Sequence, residues 1–225
     1  MPTYIQKHPT QITDQKSVVG GAVKQKVIAP AAAHLGLTLD ASISMSSLVD
    51  PTLEAVNRLL AEQKEVNPQS RFTFTSFGDS VRVMLENVAL ADAPLIDRDL
   101  YRADGPSTAL NDGILDIVNR IGKQVSRSTP VLIAILTDGA ENSSRASLDD
   151  VFSVVTYRRT TYRWGFIFIG PREAEYYALR IGIPKSNFVS FSTDPAGIRS
   201  GIERLSRSMS AYQLRDRNYA LRLRN

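Results

Sequence analysis

Residues Val131–Leu136 are all apolar, and Thr137, Asp138 and Gly139 follow them directly. A strand that is apolar at every position has no polar face to turn towards water, so it must be covered on both sides. Sheets covered on both sides are mostly parallel, with helices joining their strands. This single run therefore favours an α/β fold in which residues 131–136 form a central strand.

The rest of the chain alternates between strand and helix patterns. Apolar or alternating runs predict further strands over residues 35–40, 71–77, 81–86, 164–169 and 188–191. Apolar residues at helical spacing predict helices over residues 51–66, 109–125, 148–161, 172–180 and 195–212. Asp50 is expected to cap the first helix, and residues 87–106 are expected to form a loop. The predicted fold is a doubly wound, mostly parallel, Rossmann-like sheet with helices on both faces. Its one antiparallel edge strand comes from a hairpin after residue 77.

The basic residues concentrate at the two ends of the chain. Of the net charge of +4, residues 1–32 carry four lysines against one aspartate, and residues 213–225 carry four arginines against one aspartate. We expect an extended basic N-terminal arm over 1–32, a single domain over 33–212 and a basic C-terminal tail over 213–225. Basic ends are either solvated or attracted to acidic partners. Nucleic acid is a less favoured partner, which the positive charge of the two tails does not exclude.

The composition removes several kinds of chemistry. The chain has no cysteine and two histidines, His8 and His34. This excludes disulfides, thiol catalysis and zinc-thiolate sites, and it makes a Ser-His-Asp triad or a histidine-built zinc site improbable. Any metal should be a hard cation held by oxygen. There is no run of 18 apolar residues and no signal-peptide core, so we expect a cytoplasmic protein or a virion component without a membrane span.

Short oxygen-bearing side chains cluster where strands end or helices begin. Asp40, Ser42 and Ser44 follow the first strand, Asp138 follows the central one, and Thr108 precedes the second large helix. Ligands of open parallel sheets bind beyond the carboxyl ends of the strands, so these five side chains should meet there. In an extended turn, Asp40, Ser42 and Ser44 would point the same way. Two carboxylates and three hydroxyls suit Mg²⁺, and they leave this octahedral ion an open position for an outside carboxylate.

These segments resemble the metal-ion-dependent adhesion site of von Willebrand factor A domains. Residues 40–44 match the family's Asp-x-Ser-x-Ser, residues 105–110 look like its threonine loop, and residues 135–142 look like its last motif. The resemblance covers residues 34–212, and residues 166–170 and 206–212 look like the small stand-alone versions of bacteria and phages. It implies Mg²⁺, or else Mn²⁺ or Ca²⁺, held by Asp40, Ser42, Ser44, Thr108 and Asp138. Ile43 departs from the glycine of many members, which predicts a stiffer loop.

Several of these residues also have simpler interpretations. Asp40 could simply cap a turn rather than bind a metal. Ser107 is better placed than Thr108 to cap a helix. Glu141 and Asn142 either orient the ligands or finish a turn. Residues 157–164 interleave arginines with aromatic rings, which is typical of a nucleic-acid platform or, as we favour, of the cationic end of a helix.

Three functions from different classes remain. The resemblance implies a Mg²⁺-dependent protein-binding module in which an Asp or Glu of the partner completes the coordination. The alternative is a structural subunit of a larger assembly or homo-oligomer, such as a phage particle, held by its arm and tail. A metal-dependent hydrolase is the least favoured, because no histidine or lysine lies in the three segments. We therefore do not expect an enzyme.

Overall fold

A computed structural model describes residues 32–216 together with residues 218, 220 and 223. Six strands are described: β1 (His34–Asp40), β2 (Arg71–Phe77), β3 (Val81–Ala89), β4 (Val131–Leu136), β5 (Gly165–Gly170) and β6 (Phe188–Ser190). Five α-helices accompany them: α1 (Val49–Val66), α2 (Leu110–Gln124), α3 (Leu148–Thr161), α4 (Glu175–Arg180) and α5 (Pro195–Gln213). All but the last residue of the expected N-terminal arm lies outside the described residues.

The strands form one sheet in the order β3-β2-β1-β4-β5-β6. Strand β3 is antiparallel to β2, and the remaining neighbours are parallel. The predicted doubly wound sheet with one antiparallel edge strand is therefore confirmed. The chain winds outwards from β1 in one direction and from β4 in the other, so the winding reverses between these two strands. Their carboxyl ends open the crevice where such sheets bind ligands.

The position of β4 between two layers of helices explains why its sequence is apolar throughout. Leu132, Ala134 and Leu136 face a core that they share with α1 and α5. Val131, Ile133 and Ile135 face a second core that they share with α2 and α3. Because successive side chains of a strand point to opposite faces, a sheet buried on both sides needs an apolar residue at every position.

A buried polar network joins α1 to α5. Gln63 Nε2 donates to Ser206 Oγ at 2.9 Å, and Gln63 Oε1 accepts from Gln213 Nε2 at 2.9 Å. Ser70 Oγ in turn donates to Gln213 Oε1 at 2.6 Å. Leu223 is only 2% exposed and belongs to the same core. Parts of the stretch expected to form the C-terminal tail, residues 213–225, are therefore packed against the domain.

Several boundaries differ from their prediction by one to three residues, and two of these differences have a clear structural cause. A 3₁₀ helix over Ile43–Leu48 runs directly into α1, whose N-cap residue is Leu48. Asp50 therefore lies inside the helix, where it accepts a hydrogen bond from Arg98 Nε at 2.9 Å instead of capping. The expected loop from residue 87 begins later, because β3 continues to Ala89 through a bulged register in which Asn87 takes a positive φ of 53°.

The arginine-rich stretch 157–164 is folded onto itself. The guanidinium carbon of Arg158 lies 5.0 Å from the ring centre of Tyr162 and 4.6 Å from that of Trp164. Trp164 is 3% exposed, so it offers no ring face on which a base could stack. Arg158 itself lies in the last turn of α3, as the interpretation of a cationic helix end requires. Among the described residues, no helix combines the length and apolar character needed to cross a bilayer.

Candidate metal site

Backbone contacts bring the three predicted segments together at the carboxyl ends of β1 and β4. The N–H of Ile43 donates to Gly105 O at 2.8 Å, and the N–H of Gly105 donates to Ala41 O at 2.9 Å. A Cβ at Gly105 would lie 2.8 Å from the Cα of Gly78, which belongs to the turn between β2 and β3. The threonine loop therefore lies against its neighbours backbone to backbone, at a distance that only glycine allows.

Four of the five predicted ligands form one hydrogen-bonded line. Asp40 Oδ1 accepts from the N–H of Ser42 at 2.8 Å. The hydroxyl oxygens of Ser42 and Ser44 are 2.9 Å apart, and Ser44 Oγ donates to Asp138 Oδ1 at 2.8 Å. The fold thus unites side chains that are 94 residues apart in sequence.

Thr108 is held beside this line by its backbone. Its N–H donates to Asn142 Oδ1 at 2.8 Å, and its carbonyl accepts from the N–H of Asn142 at 3.1 Å. Within the described part of the chain, no hydrogen bond joins the hydroxyl of Thr108 to the other four predicted ligands. Asn142 therefore fixes the threonine loop to the loop after β4, which supports its interpretation as an orienting residue.

The expected extended turn after β1 is wrong. Ser42 is extended, with φ −68° and ψ 159°, but the 3₁₀ helix begins at Ile43. The N–H of Met45 donates to Ser42 O at 3.0 Å, and this turn is what brings the hydroxyls of Ser42 and Ser44 together. Ile43 is 60% exposed, so its side chain points away from the core at the rim of the site.

Two residues that sequence reasoning missed hold Asp40 in place. Thr137 Oγ1 donates to Asp40 Oδ2 at 2.6 Å, and the hydroxyl of Tyr101 donates to Asp40 O at 2.6 Å. Burial, and then the charges of Asp40 and Asp138, raise the pKa of Tyr101, so its hydroxyl stays protonated as a donor. The position of Thr137 at the end of an apolar strand was a usable signal. Tyr101 lies in an irregular loop and gave none.

Glu141 ties the loop after Asp138 to the start of α2. Its Oε2 accepts from the N–H of Asn111 at 2.8 Å and from Ser144 Oγ at 2.6 Å, and its Oε1 accepts from the N–H of Ser144 at 2.7 Å. A carboxylate at this position satisfies free N–H groups of the helix and suits its dipole. Ser107 does not cap α2, because the helix begins at Leu110 with Ala109 as N-cap residue.

Burial decreases from the base of the site to its rim. Asp40 is 0% exposed, Ser42 is 4% exposed and Thr108 is 5% exposed, whereas Asp138 is half-buried and Ser44 is exposed. Burial first, and the charge of Asp40 second, raise the pKa of Asp138, against the opposing effect of the Ser44 hydrogen bond. Two carboxylates that repel each other in a partly buried site favour a cation between them.

The donor set fits a hard cation. Among the described residues, no three or more histidine, aspartate or glutamate side chains converge. The predicted ligands are two carboxylates and three hydroxyls. Hydroxyl and carboxylate oxygens suit Mg²⁺, which usually keeps several waters, and they suit softer metals poorly.

Comparison with known proteins identifies the fold. No family model and no curated protein sequence matches the chain. The chain is similar in structure to proximal thread matrix protein 1 from the mussel byssus with a zinc-occupied MIDAS motif, at TM-score 0.60 and 12% identity, covering 78% of this chain and 47% of that one. It is also similar to a von Willebrand factor type A protein from Catenulispora acidiphila, at TM-score 0.59 and 15% identity, covering 80% of this chain and 43% of that one.

A third similar structure is the SpRpn10 VWA domain, at TM-score 0.55 and 11% identity, covering 77% of this chain and 95% of that domain. The chain spans about half the length of the mussel protein but nearly all of the isolated domain. The described core therefore has the von Willebrand factor A fold, as the sequence resemblance implied.

Proposed function

We propose that this chain is a Mg²⁺-dependent protein-binding module in which an Asp or Glu of a partner protein completes the coordination of the ion. Asp40, Ser42, Ser44, Thr108 and Asp138 would hold the ion. Bound there, Mg²⁺ would offer an open coordination position for an external carboxylate. The observation that carries the proposal is the hydrogen-bonded line from Asp40 to Asp138, in which Ser44 is exposed to solvent.

The protein's own residues are arranged to keep this site ready. Thr137 and the N–H of Ser42 hold both oxygens of Asp40, and Asn142 holds the threonine loop. Groups oriented in advance lose less entropy when an ion binds, so they raise its affinity. The zinc-occupied motif in the mussel byssus protein supports the choice of a divalent cation, although that metal differs from the one proposed here.

A binding role fits the site better than catalysis. His34 begins β1, whereas Asp40 ends it, so the two are roughly 20 Å apart along the strand. Burial, and secondly the charge of Arg71, lower the pKa of His34 to about 4, which keeps its imidazole neutral at pH 7. Neither the position nor the charge state of this histidine suits an acid or base at the carboxyl ends of the strands.

Calorimetry and NMR titration of the full chain test the proposal. Mg²⁺ should bind to the wild type, and acetate, as a minimal carboxylate, should then shift the amide signals of Ser44 and Gly139 only when Mg²⁺ is present. Asp138→Ala should lose both effects. Asp99→Ala, which removes an exposed carboxylate of a nearby loop, should retain both. Acetate shifts that persist in EDTA, or Mg²⁺ binding that survives Asp138→Ala, would contradict the proposal.

A further inference from the structure

A cavity of about 290 Å³ opens beside the candidate metal site. Its walls come from the start of α2, the loop after β4, the end of β5 and the segment that leads into α4. They include Leu110, Gly139, Phe168, Ala174 and Tyr177. Its volume is at the lower end of the range of small-ligand pockets, and it is large enough for one bulky side chain.

The cavity and the metal site share two stretches of backbone. Gly139 follows Asp138 directly, and Leu110 lies two residues after Thr108. Because consecutive Cα atoms are 3.8 Å apart, these walls begin within about 8 Å of two predicted ligands. A partner residue bound at the ion would therefore have the cavity within reach of its neighbouring side chain.

The polar side-chain atoms of Glu141 and Tyr177 in the cavity walls are already hydrogen-bonded, which limits what the cavity can accept. The carboxylate of Glu141 accepts hydrogen bonds from Asn111 and Ser144 at the start of α2 and in its own loop. The hydroxyl of Tyr177 donates to Asn111 Oδ1. Glu173 also lines the cavity, but its side chain is exposed at the mouth. An uncharged apolar group thus fits the interior without leaving a polar atom unpaired.

We propose that this cavity, which we call the side pocket, receives a large apolar side chain that the partner carries next to its metal-bound carboxylate. This inference rests on the proposed function, because the carboxylate is what places the apolar group over the side pocket. The partner segment is accordingly an acidic residue flanked by an aromatic or a large aliphatic one. Burial of that side chain supplies affinity that a single exposed carboxylate cannot provide.

Three small carboxylates, tested on the full chain with saturating Mg²⁺, separate the contribution of the ion to binding from those of an apolar ring and of a cation. Acetate reports the ion alone, 4-phenylbutyrate adds an apolar ring, and 6-aminohexanoate adds a cation that Glu173 could attract. By NMR titration, 4-phenylbutyrate should bind at least about ten-fold more tightly than acetate, and 6-aminohexanoate should resemble acetate. EDTA should abolish the binding of all three.

Variants of the side pocket then test whether the tighter binding of 4-phenylbutyrate arises there. Ala174→Trp, and the smaller Ala174→Leu, should remove the advantage of 4-phenylbutyrate while leaving the dissociation constants of Mg²⁺ and acetate unchanged. Ala61→Trp, at an exposed position of α1, is the matched control and should keep the advantage. Circular dichroism checks that each variant is folded, and Ala174→Leu serves if the tryptophan disturbs the fold.

The contrary outcomes distinguish failure of the proposed function from failure of the side-pocket proposal alone. If neither Mg²⁺ nor acetate binds, the proposed function fails and the side-pocket proposal fails with it. If acetate binds as tightly as 4-phenylbutyrate, only the side-pocket proposal is overturned. It is also overturned if 6-aminohexanoate binds most tightly, which would indicate a cationic occupant, or if the Ala174 variants keep the advantage of 4-phenylbutyrate.

Discussion

Replacing Gly105 by alanine should damage both the stability and the metal site. The added Cβ would lie 2.8 Å from Gly78 Cα, 3.2 Å from Ala41 O and 3.2 Å from Asp79 N. All three are backbone atoms, which cannot rotate out of the way as a side chain would. Overpacking of this kind costs about 1–3 kcal/mol of unfolding free energy. Because relief requires the threonine loop to move away from the turn between β2 and β3 and from the segment after β1, the affinity for Mg²⁺ should fall as well.

Gly139→Ala is the matched control, since a Cβ at that position meets no atom within 4 Å. It lies in another loop of the same site and should change the unfolding free energy by less than about 0.5 kcal/mol. Urea unfolding gives the stability of both variants in EDTA, and calorimetry gives their Mg²⁺ affinity. Equal stability of Gly105→Ala and Gly139→Ala would refute the argument from close backbone contact.

Three further predictions concern the binding of Mg²⁺, the protonation of His34 and the N-terminal arm. Mg²⁺ at a hundred times its dissociation constant should add about 2.7 kcal/mol of stability, and hence about 5–10 °C in Tm; identical melting curves with Mg²⁺ and with EDTA would argue against a metal site. Folding lowers the pKa of His34 from 6.5 to about 4, so unfolding free energy should fall by about 3 kcal/mol as the pH drops through that window. Urea unfolding against pH should show this loss in the wild type and lack it in His34→Gln. A chain that starts at Pro30 should fold and bind Mg²⁺ as before but assemble less well by light scattering, and failure to fold would contradict the expected arm.

Much of the fold follows from hydrophobic periodicity alone. Strand β4 is apolar at every position because two helical layers cover it, and this single pattern already fixes its place in the sheet. The end of β3 was predicted too early because Asn87 has a positive φ and a bulge continues the pairing. Such an irregular register leaves no period in the sequence.

The candidate site was accessible to sequence reasoning for a different reason. Asp40, Ser42 and Asp138 stand at strand ends, where the topology of a parallel sheet collects side chains regardless of local conformation. Their grouping was therefore predictable even though the turn after β1 is 3₁₀ rather than extended. The contact of Tyr101 with Asp40 spans 61 residues and depends on how an irregular loop packs, which no local pattern encodes.

The gradient of burial across the candidate site would set the order in which the proposed ion and partner bind. Asp40 lies at the closed end behind Thr137 and Tyr101, and Ser44 lies at the open end. The route from solvent to Asp40 past Ser44 is the same face on which a partner carboxylate would dock. A partner docked there would obstruct the exit of the ion. Because its carboxylate would also coordinate the ion directly, the ion and the partner would raise each other's affinity by the same factor. In kinetic terms, the proposed metal would enter first and leave last.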